Sequence, residues 1–145
     1  MAKKQIALHP IQLLNANISE IKVKVLRDEV PDQQPNLGVE ISTACQPISD
    51  EEAFSFLKIN IGFSEGEPLF DMQLVFRGRV KAINPCTAEE LKGFAENHAI
   101  PLLWPFAREY IYSLTPRMGF PAVMLPTINV FGTIETNTEK QELSE

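Results

Sequence analysis

Between Glu20 and Val25 apolar and charged residues alternate, so Ile21, Val23 and Val25 share one face of an extended chain and Glu20, Lys22 and Lys24 the other. This pattern predicts a half-buried strand. From Asp28 to Asn36, two prolines and a run of polar side chains cannot continue a hydrogen-bonded ladder, and a connecting loop is expected. The period of two resumes at Leu37, Val39 and Ile41 as a second strand. Phe54, Phe56, Ile59, Ile61 and Phe63 mark a third, with a one-residue change of phase around Leu57 that a β-bulge would absorb. Turn-forming residues Ser64 to Pro68 follow. Phe70, Met72, Leu74, Phe76, Gly78 and Val80 then again hold alternate positions, so strands three and four form a long hairpin.

The periodicity changes after Asn84. Thr87 with Glu90 three positions later is a capping box, and the acids Glu89 and Glu90 suit a helix N-terminus. Leu91, Phe94, Ala95 and His98 follow helical spacing until Pro101, which is expected to interrupt. Leu102, Leu103, Phe106, Tyr110, Ile111 and Leu114 then predict a second helical piece, ended by Pro116 and Gly119. From Phe120 to Phe131 the chain is apolar yet punctuated by Pro121 and Pro126, which predicts an extended hydrophobic segment. Residues 133–145 are polar and acidic and read as a mobile tail, leaving one domain over residues 1–132. The fold class is α+β: a four-stranded antiparallel sheet with C-terminal helices packed on one face.

A length of 145 residues allows one core, and 44% hydrophobic with 22% charged residues is ordinary for a globular chain. The formal charge of −6 argues against a nucleic-acid partner, because phosphate binding needs clustered cations and Lys3-Lys4 is the one small basic cluster. Two cysteines and an N-terminus unlike a secretory signal point to a cytoplasmic protein. The apolar run from Ile100 to Phe106 is far shorter than the roughly 20 residues that cross a bilayer.

The residue types capable of chemistry favour structural roles here. Cys86 precedes a helix N-terminus, but a nucleophilic thiol needs a base within reach, and His9 and His98 stand in no catalytic spacing. Arg108 and Glu109 are adjacent on a helix and so point apart, which suits a structural ion pair or an interface contact. There is no CxxC or HxxxH spacing for a metal and no glycine-rich phosphate loop, so neither metal nor cofactor is expected and the chain reads as non-enzymatic. Phe54, Phe56, Phe63, Phe70 and Phe76 read as sheet core. Phe120, Val123, Met124, Leu125, Ile128, Val130 and Phe131 are the candidates for an apolar groove or a subunit contact.

From Leu102 to Val130 the string LLWPFAREYIYSLTPRMGFPAVMLPTINV resembles the SecB family of protein-export chaperones. The run Trp104-Pro105-Phe106-Ala107-Arg108-Glu109, the Arg117 and Gly119 that close a helix, the Phe120-Pro121 pair and the string Leu125-Pro126-Thr127-Ile128-Asn129 carry the likeness in the family's order. The resemblance implies a homo-oligomer, a dimer or a tetramer, with Trp104, Phe106, Arg108 and Tyr110 as interface candidates. It also implies a nucleotide-independent holdase for unfolded or precursor polypeptides, with SecA as a further partner. A related alternative is an assembly module on the same scaffold dedicated to one partner, such as those attached to toxin-antitoxin pairs. This chain departs from the family in three places. Glu20, Glu40 and Asp71 do not line up with the acidic SecA-docking face. The loop from Asp28 to Asn36 lacks aromatic side chains. In the family the Asn of the last motif opens a lid helix, whereas Val130 to Ile134 holds glycine and β-branched residues, so that lid is expected to be short or missing.

Overall fold

In the computed structural model the described residues are 2–28, 36–98 and 100–129. Strands β1 (Ile11–Val25), β2 (Leu37–Pro47), β3 (Glu52–Phe63) and β4 (Phe70–Ala82) form one antiparallel sheet in the spatial order β1-β4-β3-β2. β2, β3 and β4 are a meander, and β1 lies on the outer side of β4. Gly66, at φ 76°, makes the β3–β4 turn in the left-handed region that glycine enters without a Cβ clash.

Helix α1 (Ala88–Gly93), a π-helical turn (Phe94–His98) and helix α2 (Ile100–Arg117) follow and cover one face of the sheet. Thr87 caps the helix as the sequence predicts, with the Glu90 N–H donating to Thr87 Oγ1 at 3.1 Å. Leu57, Ile59, Leu74 and Phe76 of the sheet pack with Leu103, Ala107 and Ile111 of α2 in the main core. Ile11, Ala53, Val80 and Ala82 pack with Leu91, Phe94 and Ala95 in a second cluster. The segment after α2, from Phe120 to Asn129, has no helix or strand, in keeping with its prolines.

Two expectations about the regular elements are corrected. The third strand has no bulge: it pairs without a register shift from Leu37↔Phe63 to Pro47↔Ala53 on one side and from Glu52↔Lys81 to Ile61↔Met72 on the other. Ala53, Ser55, Leu57, Ile59 and Ile61 therefore all face the helices. Phe54 and Phe56 lie half-buried on the opposite, open face and are not core, unlike the buried Phe70 and Phe76 and the partly buried Phe63 that packs against them. The reason is spatial. Ser55 Oγ donates to the Ala95 carbonyl, so the helical layer sits close over the small side chains at 53 and 55, where a phenylalanine would not fit. The irregularities lie instead in β1, between Leu13 and Asn15 and between Ile18 and Glu20.

The helical break also differs from the expected one. Pro101 does not interrupt a helix but stands in the first turn of α2, where its missing N–H has no intrahelical acceptor to lose. The interruption is the π turn before it. The expected loop is described only at its two ends. The lid region and the tail lie outside the described residues, as do Val130 and Phe131.

Candidate functional site

The inner side of α2 is set by Ile100, Leu103, Trp104, Ala107, Ile111 and Thr115, at helical spacing and all buried. Trp104 and Arg108, four residues apart and so on adjacent turns, reach past the helix to the following segment. The Trp104 indole N–H donates to the Pro126 carbonyl at 3.0 Å and Arg108 Nε donates to the Leu125 carbonyl at 3.0 Å. One turn from the end of the helix, Thr115 Oγ1 donates to the Ile111 carbonyl at 2.9 Å and accepts the Val123 N–H at 2.9 Å. Three side chains of α2 thus hold an extended strap that has no strand neighbour to satisfy its backbone.

The strap alternates. Phe120, Val123 and Leu125 are buried in the main core, Phe120 with its ring 5.4 Å from Phe70. Met124 is 58% exposed, and Ile128 is half-buried against the core. Of the groove candidates, then, Phe120, Val123 and Leu125 close the subunit's own core, while Met124 faces outward. Among the interface candidates, Trp104 is buried and Arg108 half-buried, both facing the strap. Tyr110 packs edge-on to Phe76 at 6.3 Å, and Phe106 is 48% exposed. Arg108 bonds a backbone carbonyl, and no carboxylate pairs with it among the described residues, so of the expected ion pair or interface contact the ion pair is corrected to a strap contact.

The outer side of α2 exposes apolar side chains together with Glu109 and Arg117. Leu102 and Phe106 stand one turn apart, and Tyr112 is 49% exposed further along the helix. Leu102 and Phe106 were legible as helical spacing and Tyr112 was not, and the sequence did not show which side of α2 the sheet would cover.

The structure brings Cys86, His9 and His98 to one hollow. The His9 ring lies 4.9 Å from Phe94, and Phe94 stacks on His98 at 5.8 Å. His9 Nδ1 accepts the Ile11 N–H at 3.0 Å, and among the described residues no hydrogen bond joins Cys86 to either ring. Burial, and next the Glu96 carboxylate, push the Cys45 thiol up, away from the thiolate form. Among the described residues no three of His, Cys, Asp and Glu cluster as metal ligands, and no helix is long and apolar enough to cross a membrane.

Comparison with known proteins matches residues 14–141 to the family described as preprotein translocase subunit SecB. The protein-export protein SecB of Mesorhizobium japonicum is 33% identical over 107 residues, covering 68% of this chain and 59% of that protein. The SecB of Xanthobacter autotrophicus is 30% identical over 112 residues, covering 77% of this chain and 71% of its own length. An uncharacterised protein of Methanocaldococcus jannaschii is 28% identical over 134 residues, with 83% and 85% covered. Among solved structures, the SecB-like chaperone Rv1957 of Mycobacterium tuberculosis, in complex with a ChAD peptide from the Rv1956 HigA1 antitoxin, superposes with a TM-score of 0.73 at 19% identity. That match covers 82% of this chain and 91% of that one, and it shares the fold. The chain thus spans well under two thirds of the Mesorhizobium relative's length. With a family match running through the sheet, both helices and the strap, this chain belongs to the SecB family.

Proposed function

We propose that this chain is an ATP-independent holdase: a cytoplasmic chaperone that binds non-native polypeptides in protein export, with no covalent chemistry. The observation that carries the reading is apolar surface left facing solvent by a single subunit, on the outer side of α2 at Leu102, Phe106 and Tyr112 and on the strap at Met124. An unfolded chain rich in aliphatic and aromatic residues gains from covering such a surface without demanding a particular shape, and methionine adapts to varied partners. Assembly into a dimer or tetramer covers part of it, and SecA receives the held precursor. Membership of the SecB family, and relatives named as protein-export proteins, support this reading.

The test is aggregation of several chemically denatured proteins, followed by light scattering with the purified chain at micromolar concentration. Suppression across clients is the expected result, and an inert protein in every case would end the proposal. A second reading is an assembly module for one partner, favoured by the solved SecB-like chaperone that holds an antitoxin peptide. Client breadth separates the two: one copurifying partner without any binding to denatured proteins selects the module.

A further inference from the structure

The open face of the sheet, away from the helices, has its own chemistry. Cross-strand register sets Phe54 beside Arg79 and Phe56 beside Arg77, with Asn15 and Asn17 of β1 as the next neighbours of the two arginines. Phe54 and Phe56 lie with ring centroids 6.2 Å apart, and the Arg77 guanidinium sits 4.7 Å over the Phe54 ring. Arg77 Nε also donates to Asn17 Oδ1 at 3.3 Å, which holds the guanidinium flat on the sheet. Aromatic rings on an uncovered sheet face leave apolar area in water that a covering partner would remove.

The charge of this patch opposes that of the chain. Lys58, Arg77, Arg79 and Lys81 lie on it with one carboxylate, Glu52, in a protein of net charge −6. Glu52 already pairs with Arg79 and lies 3.7 Å from Lys81. Among the described residues no carboxylate lies within ion-pair distance of Arg77 or Lys58. Glu20 shares the Val75 row with Lys58, while Glu40 and Asp71 stand in rows toward the other end of the strands, in line with Lys22 and Lys24 of β1. The four steps along β4 from Arg77 to Lys81 span about 14 Å at strand rise. A short acidic stretch fits that span. Beyond Arg77 each row carries one acid and one lysine, so a long phosphate backbone meets no further net positive charge there.

We propose that the Phe54–Phe56–Arg77 patch is a docking surface for an acidic polypeptide segment bearing an apolar side chain, distinct from the client-holding surface on α2. Carboxylates of the segment pair with Arg77 and Lys58, and its apolar side chain covers the two phenylalanines. The proposal does not depend on holdase activity.

The experiment uses the full chain and fluorescence anisotropy of three labelled probes: a decapeptide of Glu and Asp with a central Leu, its counterpart with Lys at every acidic position, and a decathymidylate. Binding of the acidic peptide, weakened by raising salt from about 0.05 to 0.5 M, is expected. Arg77→Glu is expected to weaken it at least about fivefold, as the loss of one exposed charge pair and its replacement by repulsion implies. Phe56→Ser is expected to weaken it while leaving the salt dependence in place. Thermal unfolding of each variant checks that the sheet is intact, and Arg77→Gln replaces any variant that does not fold. No binding of the acidic peptide, equal binding of the lysine peptide, or full binding by folded Arg77→Glu overturns the proposal. Tighter binding of decathymidylate overturns it in favour of nucleic acid. A smaller assembly of the Phe54→Ser/Phe56→Ser variant in sedimentation overturns it in favour of a contact between copies of this chain.

Discussion

Arg108 Nε donates to the carbonyl oxygen of Leu125 across 3.0 Å, so a charged helix residue closes the strap rather than pairing with an acid. A bond from an ionised donor to a partly buried carbonyl contributes about 1.5 kcal/mol. Arg108→Ala is therefore expected to lower the urea unfolding midpoint by that equivalent and to speed amide exchange from Val123 to Asn129. An unchanged exchange pattern would show that the strap is held without this contact.

Thr115 is fully buried and serves the Ile111 carbonyl and the Val123 N–H together. Thr115→Val keeps the shape and strands the Val123 N–H, for an expected loss of about 1–3 kcal/mol in denaturant unfolding. Thr115→Ser keeps the hydroxyl and is expected to lose less. If valine proves no worse than serine, the hydroxyl has no part in holding the strap.

Gly78 lies under both β1 and α2. A Cβ there would stand 2.7 Å from Leu13 Cδ1 and 3.1 Å from Leu103 Cδ2. Both atoms are ends of flexible side chains, so Gly78→Ala is expected to cost only about 1–2 kcal/mol. Combined with Leu13→Ala, the loss is expected to be less than additive, since the truncation clears the nearer contact. Strict additivity in the double-mutant cycle would place the strain elsewhere.

The hydrogen bond from Arg79 chiefly holds the Glu52 carboxyl below its ordinary value of 4.5, against burial, which raises it, and with the charges of Arg79 and Lys81 adding to the lowering. A depressed folded value means that the ionised group stabilises the native state above pH 4.5 and that this contribution fades as pH falls through the folded value. Thermal midpoints from pH 7 to pH 3 are expected to show Glu52→Gln below the native protein at neutral pH, with the gap closing in acid. Parallel curves would remove Glu52 from the acid response.

The strands were readable where one face is buried at a period of two, as in β2 and β4, whereas β1 was read only from Glu20 to Val25 because its two register shifts break the period before that. β3 was misphased because it is apolar on both faces, with Phe54 and Phe56 outweighing Ala53 and Ser55 in any count of hydrophobicity. Only the ladders to β2 and β4 settle which set faces inward. The π turn was not legible. Phe94, Ala95 and His98 keep the spacing of an ordinary α-helix, so nothing in the sequence sets the π turn apart, whereas Pro101 is a conspicuous helix breaker. The strap was legible as extended and apolar from its prolines. That Trp104, Arg108 and Thr115 hold it was not, because a side chain's bond to a distant carbonyl leaves no periodicity in sequence.

β1 pairs only with β4, from Val25↔Phe70 to Ile11↔Ala82, whereas β2, β3 and β4 meet their neighbours through short turns. Every rung of that outer ladder closes a loop of at least 45 residues. During synthesis the N-terminal strand therefore leaves the ribosome long before its partner exists, and the three-strand meander can assemble while it waits. A nascent chain halted before Phe70 has nowhere to dock its first strand.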